Sequence, residues 1–235
     1  MMIYEERRVL LRRGALDEYR RLELEQIRPA LLAIGVRPLC LLSGLIGMPA
    51  TETYRFSGYR DAAEWERLQF NADGTLPAGL PPAVWAGLRP ALKRRAELVA
   101  EERTRLLTPS DVRPKAETPS GDRRPIYGLR RFSIRQEHWP EFERHSTEGI
   151  WVRIEAQDAC ILGLFRDAAA TDPLEVTLLT GYHGLAHWEA TRGWREQPDD
   201  ISDELWALGL RAAAARNAIT LTSFVCLMNA HWLSA

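Results

Sequence analysis

Apolar and polar residues alternate over residues 2–11. Ile3, Glu5, Arg7, Val9 and Leu11 fall on one face, and Tyr4, Glu6, Arg8 and Leu10 on the other. A period of two predicts a strand. Gly14 breaks the alternation. Leu16, Tyr19, Leu22, Ile27, Leu31 and Ile34 then recur at helical spacing, which predicts an amphipathic helix from Ala15 to about Ile34, ended by Gly35. The apolar run Pro38–Leu45, the turn residues Gly44, Gly47 and Pro49, and Thr51–Ser57 predict a hairpin. A second helix carries Ala62, Trp65 and Leu68. The Gly- and Pro-rich stretch Asn71–Pro82 predicts a surface loop. A further helix over about 83–102 and a short closing strand, Thr104–Leu107, complete the pattern.

The same order then repeats. Ile126-Tyr127-Gly128-Leu129-Arg130-Arg131-Phe132-Ser133-Ile134 matches the first strand, and Ile3 and Ile126 are 123 positions apart (126 − 3). The same interval separates Glu18 from Glu141, Arg21 from Arg144, Gly58-Tyr59 from Gly181-Tyr182, and Trp65-Glu66 from Trp188-Glu189. A register that persists across both halves predicts a tandem duplication. The second copy predicts a helix over about 138–155, a hairpin from Ala159–Arg166 and Leu174–Gly181, helices near Leu185 and over about 202–217, and a last strand Ile219–Leu227, with His231 and Trp232 in a short tail. Each half is strand, helix, strand, strand, helix, strand: an α+β unit with one antiparallel sheet and helices on one side. The expected domains are 1–109 and 125–235, joined by a proline-rich, charged linker at 110–124.

The opening Ile3-Tyr4-Glu5-Glu6-Arg7, the glycine after the strand and the aromatic Tyr19 on the helix resemble the start of a NIPSNAP domain, which opens with Tyr-Glu-Leu-Arg before a glycine turn. The second copy, Tyr127-Gly128-Leu129-Arg130, keeps the tyrosine, leucine and arginine but has Gly128 in place of the acid. The resemblance covers most of both halves through a short motif. It implies two tandem ferredoxin-like repeats forming an intrachain dimeric α/β barrel, a pseudo-dimer with two sheets face to face and helices outside. The wider superfamily includes cofactor-free monooxygenases, cyclases, isomerases, dehydratases, haem-degrading enzymes and members that only bind, so the fold leaves function open.

Composition narrows the choice. With 31 basic and 32 acidic residues the net charge is −1, which gives no electrostatic case for nucleic acid or an anionic membrane. No apolar run reaches the roughly 18 residues of a membrane span, and no signal-peptide core follows Met1. Cys40, Cys160 and Cys226 lack CxxC spacing and sit in apolar runs, as reduced thiols of a cytoplasmic protein would. Eight tryptophans call for large aromatic surfaces in cores, interfaces or a pocket.

Candidate chemistry lies first in Glu5 and Arg7, two residues apart on one strand face, where an acid beside a guanidinium could orient a substrate carbonyl or serve as a structural ion pair. Arg130 takes the place of Arg7 without an acid before it and needs another partner if buried. His145 takes the place of Leu22, beside Trp139, Phe142 and Ile150. An imidazole there is either a general acid or base or a satisfied core histidine. Tyr4, Tyr127, Trp139 and Phe142 are the expected substrate-facing aromatics. His183 and His187, four apart, have no obvious third ligand, so no metal is expected. There is no phosphate loop or GxSxG elbow, and no organic cofactor is expected. The reading is a cofactor-independent cyclase, isomerase or dehydratase of secondary metabolism acting on a hydrophobic, aromatic or polyketide-like substrate. His145 would move the proton, and Arg130, Arg7 and Glu5 would support the charge. The alternative is a non-catalytic binding or scaffold protein, and a homodimer is allowed.

Overall fold

The computed structural model describes residues 2–68, 81–114, 122–169 and 172–232. Two compact units divide the chain: residues up to Leu107 with those from Ala230 on, and Thr108–Asn229. In the first, the alternating opening stretch forms β1 (Ile3–Leu11). It is followed by α1 (Leu16–Leu22), a π-helical segment Glu23–Ile27, α2 (Arg28–Ala33), the hairpin β2 (Arg37–Ile46) and β3 (Glu52–Tyr59), α3 (Ala62–Arg67), α4 (Pro82–Leu98) and β4 (Val99–Pro109). The second repeats the series as β5 (Ile126–Ile134), α5 (Trp139–His145), a π segment Ser146–Ile150, α6 (Trp151–Glu155), β6 (Cys160–Asp167), β7 (Leu174–Tyr182), α7 (Leu185–Ala190), α8 (Asp203–Ala218) and β8 (Thr220–His231).

Strand pairing fixes which residues correspond. In the first unit the sheet order is β4-β1-β3-β2, with Arg7 opposite Arg55 on β3 and Thr104 on β4. In the second the order is β8-β5-β7-β6, with Arg130 opposite Leu178 on β7 and Val225 on β8. Through β3 and β7 the offset is 123; through β4 and β8 it is 121. All pairings within each unit are antiparallel.

The helical apolar stripes face one side of each sheet. In the second unit Phe132, Ile134, Trp139, Phe142, Ile150, Trp151 and Ala212 share one core cluster, with the Phe132 and Phe142 rings edge to face at 4.9 Å. The first unit has two clusters. Val9, Leu11, Tyr19 and Leu22 belong to one, and Ile3, Ile27, Leu31 and Tyr59 to the other. Along β1 the residues between them are Glu5 and Arg7.

Several expectations are corrected. The first helix is not one continuous α-helix but is interrupted by five π-helical residues, repeated at the same place in the second copy. A π segment inserts an extra residue into the turn, which period counting over 15–34 cannot resolve. The closing strand β4 begins at Val99, so α4 stops at Leu98 rather than near 102. His231 ends β8 instead of sitting in a loose tail. The loop expected at Asn71–Pro82 falls almost entirely outside the described residues. The described parts of the 110–124 stretch are tied into the second unit: Ser110 N donates to Leu164 O at 2.8 Å, and Arg124 pairs with Asp158 at 2.8 Å. Cys40 and Cys226 are buried and Cys160 half-buried, all as free thiols. Among the described residues no helix is long and apolar enough to cross a membrane.

Candidate functional site

Glu5 and Arg7, side by side on β1, belong to a closed ring of six alternating charges. Arg7 grips Glu5 with two hydrogen bonds, Nε at 2.8 Å and Nη2 at 3.0 Å, and reaches Glu102 with Nη1 at 2.6 Å. Glu102 pairs with Arg95 at 2.8 Å, and Arg95 Nε donates to Glu23 at 2.7 Å. Glu23 accepts from Arg55 at 3.0 Å, and Arg55 returns to Glu5 at 3.2 Å. Trp65 Nε1 adds a 2.8 Å bond to Glu5, and Arg95 lies over the Tyr19 ring. Three carboxylates and three guanidiniums cancel. Burial alone would raise the Glu5 and Glu23 carboxyls. Arg7 and Arg55 around Glu5, and Arg55 and Arg95 around Glu23, outweigh it and hold both at about 2. The π segment begins at Glu23, between the apolar faces of α1 and α2, and so introduces an acid into an otherwise apolar stripe.

The second repeat keeps the place and removes the acids. Gly128 stands where Glu5 does, Ser146 for Glu23 and Ser223 for Glu102. Arg55 becomes Leu178 and Tyr19 becomes Phe142, whereas Arg7 and Arg95 persist as Arg130 and Arg216. Arg153 is added where the first repeat has Ala30, opposite Gly209 where it has Leu88. A Cβ on Gly209 would come within 2.4 Å of Arg153 Cδ, so the glycine makes the room that Arg153 fills. Arg192, just after α7, completes the set.

These four guanidiniums have no acidic partner among the described residues. Arg216 Nη1 donates to Ser146 Oγ at 3.2 Å and its plane lies over the Phe132 and Phe142 rings. Arg153 donates to Thr191 O at 3.2 Å and stacks on Trp206. Arg192 reaches Tyr182 Oη at 2.9 Å and covers the Trp188 ring. Arg130 has only the Phe132 ring. Buried donors are left over: Arg153 Nε and Nη1, Arg216 Nε, and Trp188 Nε1. Burial, then the charge of Arg130, pushes Arg216 down to about 9. Burial, then Arg192, lowers both Arg130 and Arg153. Three buried guanidiniums and the half-buried Arg130, without an acidic partner among the described residues and with unused N–H groups beside them, are chemically able to accept an anion.

The structure brings Glu5 and Arg7 together and sets Arg130 in the second-repeat cluster, but places the other sequence candidates elsewhere. His145 is half-buried at the end of α5, where Glu141, one turn back, takes its Nε2 at 3.2 Å; it does not join Arg130. Position 145 lies at the edge of the buried face, so an imidazole reaches the surface acid where Leu22 turns inward. Phe142 is fully buried core, and Trp139 packs beside it while bordering a surface hollow with Arg166 and Asp172. Tyr4 and Tyr127 are buried on the opposite sheet face from Arg7 and Arg130. His183 contacts Asp158 at 2.6 Å and His187 the Gln157 carbonyl at 2.6 Å. Among the described residues no cluster of three or more His, Cys, Asp or Glu could hold a metal. His231 meets Ser43 Oγ at 2.8 Å beside a cavity of about 530 Å³ lined by Asp17, Arg20 and Trp232, where burial, then Arg20, lowers it to about 4.

No protein-family model matches the chain, and no curated protein matches it. Solved structures do. A candidate monooxygenase from Lactobacillus acidophilus NCFM is 7% identical with a TM-score of 0.61, covering 98% of this chain and 94% of that one. An anthrone oxidase-like protein is 11% identical with a TM-score of 0.52, covering 97% and 91%. A NIPSNAP family protein from Agrobacterium tumefaciens C58 is 26% identical over 48% of this chain and 98% of its own, with a TM-score of 0.38. The full-length likenesses show the fold: α+β, two tandem ferredoxin-like repeats of the dimeric α/β barrel class.

Proposed function

We propose that the protein is a small-molecule enzyme of the NIPSNAP type whose working site is the guanidinium cluster of the second repeat. Its reaction class is the one expected from the sequence: proton-transfer chemistry on a hydrophobic carbonyl compound, leading to cyclisation, isomerisation or dehydration without an organic cofactor. The single observation that supports it is the absence of all three ring acids around the half-buried Arg130 and the buried Arg216, neither of which has an acidic partner among the described residues. When a proton leaves the carbon beside a carbonyl, charge develops on oxygen. Fixed N–H donors in a low-dielectric site stabilise that oxyanion more than water does. Arg130 and Arg216 supply them. Tyr182, touched by Arg192, is the hydroxyl in the cluster able to pass a proton.

A second reading, binding without turnover, is favoured by one fact: among the described residues no carboxylate pairs with the four guanidiniums, and the nearest imidazole, His187, packs edge-on against Tyr182 with its Nε2 at the Gln157 carbonyl. Deuterium exchange distinguishes the two. Aromatic β-keto acids incubated with the protein in D₂O should lose their α-proton signal faster than in buffer. Arg130→Met should abolish the acceleration, while Glu5→Gln in the first repeat should spare it if the protein remains folded. Bound ligand without exchange would select the binding protein; exchange that survives Arg130→Met would refute the site.

A further inference from the structure

The first repeat contains the template for what the second should bind. Its Glu5 carboxylate is held by the Arg7 fork and by Trp65 Nε1 at 2.8 Å. In the second repeat the fork has its counterpart in Arg130 and the indole in Trp188, on α7 as Trp65 is on α3. The acid alone is gone. Among the described residues Trp188 Nε1 is buried with no partner, and Arg130 makes no hydrogen bond or ion pair. Arg192 connects them, since it covers Trp188 and holds Tyr182, and its charge is felt by Arg130. A side chain is tolerated at Gly128: a Cβ there would make ordinary van der Waals contacts, with Tyr182 Cε2 and Val225 Cγ2 at 3.5 Å. Arg130 and Trp188 are only half-buried, and Ser223, in the place of Glu102, is exposed.

Resting on the reading above that the second repeat carries the site, we propose that it binds a small molecule bearing one carboxylate, seated at Gly128 between Arg130, Arg192 and the Trp188 indole N–H. The planar two-oxygen acceptor matches a guanidinium fork plus one N–H, as Glu5 demonstrates within the same chain.

The experiment titrates the full chain in low-salt HEPES with benzoate, benzamide and inorganic phosphate, read by calorimetry and by the rise in melting temperature. Benzoate should bind and raise Tm, with benzamide and phosphate each at least roughly tenfold weaker, the worth of one charge-assisted contact. Gly128→Glu rebuilds the internal acid and should abolish benzoate binding while raising Tm without ligand. Trp188→Phe, which loses no hydrogen bond of the free protein, should remain folded and weaken benzoate roughly tenfold. Equal benzoate affinity in Trp188→Phe, or binding retained in Gly128→Glu, overturns the proposal. Phosphate binding more tightly than benzoate also overturns the carboxylate assignment. In that case sensitivity of phosphate binding to Arg130→Met keeps the second-repeat site, and insensitivity removes both.

Discussion

Methionine at Arg95 and at Arg216, the same position in the two repeats, should move stability in opposite directions. Arg95 bonds Glu23 at 2.7 Å and pairs with Glu102 at 2.8 Å. Its removal leaves Glu23, 2% exposed, with half its partners. Breaking one side of a buried pair costs about 3–5 kcal/mol. Arg216 is a cation that burial holds well below the usual guanidinium range, at about 9. At about 1.4 kcal/mol per unit, keeping it charged costs the fold up to roughly 5 kcal/mol. Against that stand one hydrogen bond to Ser146, worth about 1 kcal/mol, and contacts over two phenylalanine faces, worth about 1–2 kcal/mol. The sign follows from the direction of the shift. A cation with a depressed folded pKa destabilises at every pH below the folded value and ceases to do so as pH climbs towards the unfolded one. At pH 7 the full cost is present, and Arg216→Met should gain about 1–3 kcal/mol. Urea unfolding followed by far-ultraviolet circular dichroism, in HEPES without added anions, measures both variants. If Arg216→Met loses as much as Arg95→Met, the second cluster is neutralised after all and the anion-site argument fails.

Three further outcomes follow from the same geometry. Glu5 and Glu23, both lowered from 4.5 to about 2, contribute stability that is complete above pH 4.5 and lost as pH falls towards 2; hydrogen exchange should show the first repeat opening before the second in that window, and the reverse order would contradict the ring. His145→Leu gives up only a surface contact to Glu141, so stability should change by less than about 1 kcal/mol and ligand affinity should stay the same; lost binding would restore the histidine to the site. Gly209→Ala places a Cβ 2.4 Å from Arg153 Cδ and should cost about 1–3 kcal/mol, with Arg153→Ala recovering most of it in the double variant; additive losses in thermal unfolding would show that the two positions are not coupled.

The period-two alternation of β1 and β5, the helical stripes and the constant 123-residue interval made the duplicated α+β fold legible in the sequence. The Glu5–Arg7 pair was visible because strand geometry places i and i+2 on one face. The remaining ring members were not: Glu23, Arg55, Arg95 and Glu102 come from four other elements, and no local spacing relates them. Glu23 against Ser146 follows the 123 interval and could have been read as a lost acid. Arg95 against Arg216 follows 121 instead, because the preceding segments differ in length by two residues, so the surviving cation was hidden. Trp65 and Trp188 were matched as landmarks of the repeat, but an indole donor reads as an apolar anchor until its N–H is seen bonded in one copy and unbonded in the other. His145 drew attention because imidazole chemistry is easy to name, although a helix-edge position gives it a neighbouring glutamate first.

The two repeats differ in a way that simple decay of an ion ring does not produce. Once Gly128, Ser146 and Ser223 replace the three acids, each arginine left inside is a desolvated charge, and exchange for an apolar residue would relieve it. One arginine position did become apolar, with Leu178 in place of Arg55. The other two did not, and two further cations stand beside them: Arg192, and Arg153 in place of Ala30, with Gly209 leaving room for it. Adding a buried guanidinium to an already unbalanced cluster, and opening a space for its aliphatic stem, costs stability twice. A local rule broken in this way without a compensating acid is expected at functional sites. In the first repeat Glu5, Glu23 and Glu102 balance the charge permanently. In the second, on the reading proposed above, the balance arrives with a carboxylate ligand that takes the position Glu5 occupies in the first.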